Sequence, residues 1–240
     1  MDYRGILLIE AAILLGAVVQ GTSGLGFNLT AAPIVNAIMP GPQSVGLINL
    51  CALLQNAWML TREKGRVRWQ AFRVLGPALA AGVLIGFGMV RLIPEAVMPI
   101  LVAISALASL VTLVAWRSGS GTGAGITAGV WSGAINTYAG VGGPPVASYL
   151  ISQGWPHADF LRTLQLVFIG IDIVSLPILG LPALPGWFYA IAVGCLLAGT
   201  GIGSLLRQRL TQEQAIRLSR VVIAIAALVS LAYSVTALLG

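Results

Sequence analysis

The residues best suited to chemistry are uncharged polar side chains beside two glycine-rich stretches of an apolar chain. The stretches are residues 21–28, GTSGLGFN, and residues 136–145, NTYAGVGGPP. Glycines let a backbone approach a ligand closely, because no Cβ atom intervenes. A helix that starts after such a turn points free N–H groups and the positive end of its dipole at whatever precedes it. The pattern therefore predicts a site for a small anion.

Neutral groups would have to hold that anion, because no arginine or lysine lies in the middle of an apolar run. Such a set suits a small oxyanion that must also be released. The candidate side chains are Gln20, Thr22, Ser23, Asn28, Asn49, Asn136, Tyr138 and Gln165. The alternative is that these groups only join helices, as Asn, Gln and Ser do in membranes.

Asp172 is the only acid well inside a predicted transmembrane crossing, since Glu10 lies in a hairpin arm nearer a membrane surface. An intramembrane carboxylate is costly enough to be a functional hypothesis by default. A protonated Asp172 could couple transport to protons. The alternatives are a structural aspartate held by hydrogen bonds and one that faces water near an outer loop.

The composition places these residues in an integral membrane protein. The 240 residues are 58% hydrophobic and 8% charged, whereas a soluble domain carries about 25% charged residues. The 13 basic residues form short clusters between apolar runs, which is typical of cytoplasmic loops and not of a nucleic-acid surface. We expect no catalytic residues, no metal and no cofactor, since no Ser/His/Asp or metal-ligand set occurs. Residues 199–203, GTGIG, favour close helix packing over phosphate binding.

The breaks between apolar runs divide the chain into two halves. The first half, residues 1–117, is predicted to hold a hairpin over 5–39 and transmembrane helices over 44–60, 71–90 and 96–116. The second half, residues 122–240, is predicted to hold a hairpin over 126–153 and helices over 161–176, 187–206 and 215–238. The predicted fold class is an all-α integral membrane protein. Each half is a re-entrant or broken helical hairpin, with arms of about 10 to 16 residues, plus three transmembrane helices.

The two halves match when Gly24 is laid on Gly140. Gly26 then falls on Gly142 and Pro40 on Pro156. Polar positions also pair, namely Gln20 with Asn136, Asn49 with Gln165, and Asn56 with Asp172. A repeat of two related halves is the simplest explanation.

The distribution of charge predicts the topology. The loop at 62–73 holds Arg62, Lys64, Arg66, Arg68 and Arg73, and the loop at 207–220 holds Arg207, Arg209, Arg217 and Arg220. Both loops should be cytoplasmic, and Arg117 and Arg162 should lie on the same side. This works if 126–153 enters and leaves on one side and 5–39 does so from the other. The halves would then be inverted, with both termini outside, an arrangement typical of secondary transporters.

The breaks SGLGFN and AGVGGPP, one early in each half, resemble the sulfite exporter TauE/SafE family of membrane permeases. The resemblance covers essentially the whole chain and implies transport of small sulfur-containing anions, such as sulfite or organosulfonates, across the cytoplasmic membrane, usually outward. The family's glycine motifs fall on Gly24, Gly26, Gly140, Gly142 and Gly143, which adds their backbone to the predicted substrate site. The first break reads GLGFN where the family commonly has a fuller glycine run.

The predicted function is therefore an exporter that holds its anion between two hairpin tips and exposes it alternately to each side. Its expected partners are the small anion and the lipid bilayer. An anion channel of the same architecture and a membrane scaffold are the alternatives, and an intramembrane enzyme is disfavoured. The membrane potential, protons and anion exchange all stay open as the driving force, as does the oligomeric state.

Overall fold

The computed structural model describes residues 3–115 and 119–239, and these residues form ten α-helices without a β-strand. The helices are α1 (Tyr3–Ser23), α2 (Phe27–Ile38), α3 (Pro42–Arg62), α4 (Trp69–Leu92), α5 (Met98–Ala115), α6 (Thr122–Ala139), α7 (Gly143–Ser152), α8 (His157–Leu179), α9 (Gly186–Arg209) and α10 (Gln212–Leu239). The all-α fold class is confirmed. Arg117 and the last residue of the predicted 96–116 segment lie outside the described residues.

Among the described helices, six are long and apolar enough to cross a membrane: α1, α3, α4, α8, α9 and α10. The shortest of them has 21 residues, which gives about 30 Å at 1.5 Å per residue. Many large apolar side chains are exposed on them, including Leu84, Ile173 and Val229. Such side chains suit contact with lipid, so this is a multi-pass membrane protein.

The helices that flank the two breaks are longer than the sequence predicted. α1 continues through residues 21–23, and α6 starts at Thr122 where we expected residue 126. The hydroxyl of Thr22 donates to the carbonyl of Val18 at 2.7 Å, and Ser23 Oγ lies 3.0 Å from the carbonyl oxygen of Val19, so both hydroxyls lie against the helix and do not interrupt it. The breaks shrink to residues 24–26 and 140–142. α1 alone is now long enough to cross a membrane, unlike the short arm that we expected.

Glycines bring helices of the two halves into backbone contact. The most extensive helix contacts are α4 with α6 and α1 with α9. A Cβ atom at Gly203 of α9 would collide with the carbonyl of Val18 in α1, and one at Gly133 of α6 would collide with the carbonyl of Leu79 in α4. The interpretation of GTGIG as a packing motif is confirmed.

The two arginine-rich loops lie at the same end of the bundle, which we call the basic end. Arg207 Nη1, in the last turn of α9, lies 3.4 Å from Oε1 of Glu63, just after α3. Arg68 Nη2 lies 2.5 Å from Asp159 Oδ2 in the first turn of α8. The start of α8 therefore also lies at the basic end.

The start of α6 and the end of α7 lie close to one another. Ser152 Oγ, at the end of α7, donates to the carbonyl of Gly119 at 3.2 Å, and Gln153 Nε2 donates to that of Ser120 at 3.4 Å. These carbonyls lie just before α6. α8 begins at the basic end, a few residues after α7 ends. The end of α7 and the start of α6 therefore also lie near the basic end.

Replacing Gly203 by alanine is expected to lower the thermal unfolding temperature of the purified protein in detergent. The added Cβ would force α1 and α9 apart, and such overpacking costs about 1–3 kcal/mol. Gly201→Ala is the matched control, since its Cβ would meet nothing within 4 Å. Equal losses in both variants would contradict the packing interpretation.

Candidate functional site

The backbone at both breaks takes conformations that favour glycine. The φ angles are +86° at Gly24, +120° at Gly26 and +73° at Gly140, all in the left-handed region. Gly142 has an ordinary φ angle, but a Cβ atom there would collide with the carbonyl of Ser132. Both turns therefore depend on glycine, for conformation or for space.

Side chains satisfy the backbone of the first break. Gln165 Nε2 in α8 donates to the carbonyl of Gly24 at 3.0 Å. Gln20 Oε1 in α1 accepts from the N–H of Phe27, the first residue of α2, at 3.1 Å. The turn is thus held by one amide from each half of the chain.

The second break is held in a comparable way. Asn28 Nδ2 in α2 donates to the carbonyl of Gly140 at 2.6 Å. Ser132 Oγ donates to the carbonyl of Gly142 and accepts from the N–H of Val146 at 3.1 Å. The Asn28 contact connects the start of α2 directly to the other break.

A buried network connects three amides to one carboxyl group. Gln20 Nε2 donates to Asn56 Oδ1 at 2.6 Å. Asn56 Nδ2 lies 3.5 Å from Asp172 Oδ2, and Asn136 Nδ2 lies 3.4 Å from Asp172 Oδ1. The four side chains come from α1, α3, α6 and α8. Within the described residues, no arginine or lysine forms an ion pair with Asp172.

A small cavity lies beside this network, between the two breaks. Its volume is about 30 Å³, room for about two water-sized groups, so its occupant in this conformation is limited to a few atoms. Among the predicted site residues, it is lined by Gln20, Gly26, Asn28, Asn136, Gly143 and Asp172. We call it the central cavity.

The two helix starts at the cavity are not equivalent as sources of N–H groups. Asn28 and Leu29, in the first turn of α2, have N–H groups without a partner inside the helix. In α7, Pro144 and Pro145 have no N–H, and that of Val146 is taken by Ser132. The expectation of two similar anion-binding helix starts is therefore corrected, since α7 leaves only the N–H of Gly143 free where α2 leaves two.

The other predicted residues do not line the central cavity. Ser23 Oγ donates to the carbonyl of Leu25 at 2.6 Å, and Tyr138 OH lies 2.7 Å from Ser105 Oγ in α5. Asn49 is fully buried near Gly140, with neither amide atom hydrogen-bonded. Thr22 lies at the end of α1, and Gln165 bonds to the first break. The remaining glycines, Gly24, Gly140 and Gly142, form the breaks. None of these residues belongs to the wall of the central cavity.

Among the residues that sequence reasoning left out of the site, three are polar or aromatic. Asn56 lines the central cavity, and its pairing with Asp172 in the repeat was the signal that could have added it. Phe168 also lines the cavity, and Ser132 holds the second break. No sequence pattern indicated these two, because an aromatic residue and a serine are ordinary in a membrane helix.

The cavity combines amide and backbone donors with a single carboxyl group. Among the described residues, no three His, Cys, Asp or Glu side chains are placed to hold a metal ion. Amide and backbone N–H groups can hold an anion, whereas an ionised Asp172 would repel it. The arrangement thus fits a small anion when Asp172 carries a proton.

Replacing Ser132 by alanine should lower the unfolding temperature, because Val146 and Gly142 would each lose a hydrogen bond in a buried turn. An unsatisfied buried group costs about 1–3 kcal/mol. Thr127→Ala, on the exposed part of the same helix, removes a hydroxyl that bonds only to the carbonyl of Gly123 and serves as the control. Similar unfolding temperatures for the two variants would argue against a role of Ser132 in holding the break.

The comparison with known proteins agrees with these features. The family model described as "Sulfite exporter TauE/SafE" matches residues 9–233, so the match includes both breaks and all four residues of the buried network. No curated protein and no solved structure matches the chain significantly. The chain thus belongs to the sulfite exporter TauE/SafE family of membrane permeases.

Proposed function

We propose that this protein is a secondary transporter that exports small sulfur-containing oxyanions, such as sulfite or short organosulfonates, across the cytoplasmic membrane. The observation that carries the proposal is the central cavity, where Gln20, Asn136 and the start of α2 surround a space beside Asp172. The anion would bind to neutral donors there and be exposed alternately to each side. Family membership supports the class of substrate.

An inverted repeat is supported by the orientation of α3 and α8, which occupy equivalent places in the two halves. Gly46, near the start of α3, packs against the carbonyl of Gly180 just after α8. At the other end, Arg162 Nη1 near the start of α8 donates to the carbonyl of Glu63, just after α3, at 2.5 Å. The two helices therefore run antiparallel, as equivalent helices of inverted halves must.

The contacts of the polar network also follow the repeat. Gln20 bonds to Asn56 within the first half, and the equivalent residues Asn136 and Asp172 bond within the second. Asn56 and Asp172 then contact each other across the halves. In the proposed arrangement, the helix pairs α1–α2 and α6–α7 are hairpins from opposite sides, the basic end is cytoplasmic and both termini are outside.

Asp172 would couple the anion to a proton. The anion and an ionised carboxylate in one small cavity repel each other, whereas a protonated carboxyl group does not. Protonation of Asp172 and binding of the anion therefore favour each other, and by linkage the coupling is reciprocal. Among the described residues, no other titratable side chain lines the central cavity.

Transport of radiolabelled sulfite into proteoliposomes tests the proposal. We expect saturable transport by the unaltered protein and at least a tenfold loss in Asn136→Ala, because a donor at the cavity is removed. Asn36→Ala is the matched control. Asn36 is an equally buried asparagine that bonds to Ser44 Oγ at 2.5 Å, away from the cavity. Absence of sulfite and sulfonate transport by the unaltered protein would refute the proposal.

Counterflow distinguishes the transporter from an anion channel of the same architecture. Proteoliposomes preloaded with unlabelled sulfite should transiently accumulate labelled sulfite above its external concentration, because an alternating-access protein exchanges one ion for another. A channel would equilibrate the label without this overshoot. A membrane scaffold would show neither flux.

The pH dependence of binding tests the role of Asp172. We expect the unaltered protein to bind methanesulfonate more weakly as the pH rises and Asp172 ionises, since the charge of this ligand is constant over that range. Asp172→Asn should bind it with little pH dependence and should fail to accumulate it in response to a proton gradient. The same pH dependence in both proteins would assign the titration to another group.

A further inference from the structure

A second cavity, of about 290 Å³, opens between α10, the α7–α8 connection and the first break. We call it the vestibule. His157 of α8 and Arg220 of α10 lie on its wall, which places it at the basic end. Leu25, in the first break, lines both the vestibule and the central cavity. The walls of the two spaces therefore share Leu25.

Two adjacent donors on the vestibule wall have buried atoms without a partner. Ser219 is 5% exposed, and its hydroxyl forms no hydrogen bond. The Nε atom of Arg220 is also buried and without a partner. Buried polar groups in proteins are nearly always hydrogen-bonded, so an unpaired hydroxyl beside an unpaired guanidinium N–H calls for a ligand. A guanidinium and a hydroxyl fit an oxyanion, and no acidic side chain of the described part of the chain lines this space.

The rest of the vestibule wall is largely apolar. Trp155, Phe160 and Ile216 contribute large apolar surfaces to it. A bare inorganic ion would leave this wall in contact with water. An anion with a short hydrocarbon chain would cover it, and the volume of the vestibule exceeds that of the central cavity several-fold.

We propose that the vestibule is a second anion-binding site, which takes a short-chain organic oxyanion such as an alkanesulfonate. Its charged group binds to Ser219 and Arg220, and its chain packs on Trp155 and Phe160. The site stands on its own geometry. Only the further step, in which the anion passes Leu25 into the central cavity, rests on the proposed transport function.

Calorimetric titration of propane-1-sulfonate tests the site, with the full-length protein in phosphatidylcholine nanodiscs at constant ionic strength. This ligand is too large for the central cavity in this conformation. Arg220→Gln should weaken binding at least tenfold, since a hydrogen bond from a charged group contributes about 1.5–3 kcal/mol. Ser219→Ala should weaken it roughly fivefold, and Asn136→Ala should leave it unchanged.

Arg217→Gln is the matched control, because it removes the same charge from an exposed position nearly one turn earlier on α10. It should bind propane-1-sulfonate as tightly as the unaltered protein. An equal loss in both arginine variants would reduce the effect to surface charge and overturn the site. Unfolding temperatures of both variants show whether they are folded, and Arg220→Lys should restore part of the affinity without the Nε donor.

A series from propane-1-sulfonate to pentane-1-sulfonate, all too large for the central cavity in this conformation, tests the apolar wall. Affinity should rise roughly threefold to fourfold for each added methylene group, and Phe160→Ala should flatten the series. Equal affinity along the series would overturn the proposal for an organic anion. Weaker binding in nanodiscs with phosphatidylglycerol would assign the site to a lipid headgroup and would also overturn it.

Failure of this site and failure of transport are distinguishable. A protein that moves no anion, yet binds propane-1-sulfonate in an Arg220-dependent way, would refute the proposed transport and support the vestibule site. Transport without any Arg220-dependent binding would refute the vestibule site alone.

Discussion

The structure depends on one constraint: two irregular backbone turns lie inside an apolar bundle, where lipid cannot satisfy their N–H and C=O groups. The protein meets this constraint with side-chain amides and a hydroxyl. Gln165 of the second half bonds to Gly24 of the first, and Asn28 of the first bonds to Gly140 of the second. Each turn is therefore held in part by the opposite half of the chain.

This exchange of hydrogen bonds explains why so many neutral polar residues are buried here without all belonging to a binding site. Some amides stabilise the turns, and others, such as Asn136, are left beside the cavity with Asp172. The helix contacts that carry both turns rest on glycine, as Gly203 against Val18 and Gly133 against Leu79 show. Small residues at these contacts let the two halves approach closely enough for short side chains to reach across.

The two cavities differ in a way that suits successive steps. The central cavity has neutral donors and a carboxyl group, and no arginine or lysine among the described residues lines it. The vestibule has Arg220 and an apolar wall at the basic end, where a positive charge attracts anions from water. Leu25 lines both cavities, in the turn where the carbonyl of Gly24 accepts from Gln165.

The sequence alone determined the membrane class, the all-α fold, the two glycine breaks and the polar positions Gln20, Asn136 and Asp172. These follow from composition, hydropathy and the repeat, which are properties of the chain read in order. Only the tertiary structure decided which amides reach the cavity, since Asn56 lines it whereas Asn49 and Gln165 do not. It also showed that α1 continues through Thr22 and Ser23, and that the N–H of Val146 in α7 is taken by Ser132. The physical reason is that a polar side chain bonds to the groups that lie near it in space, and here those groups belong to residues far apart in the chain.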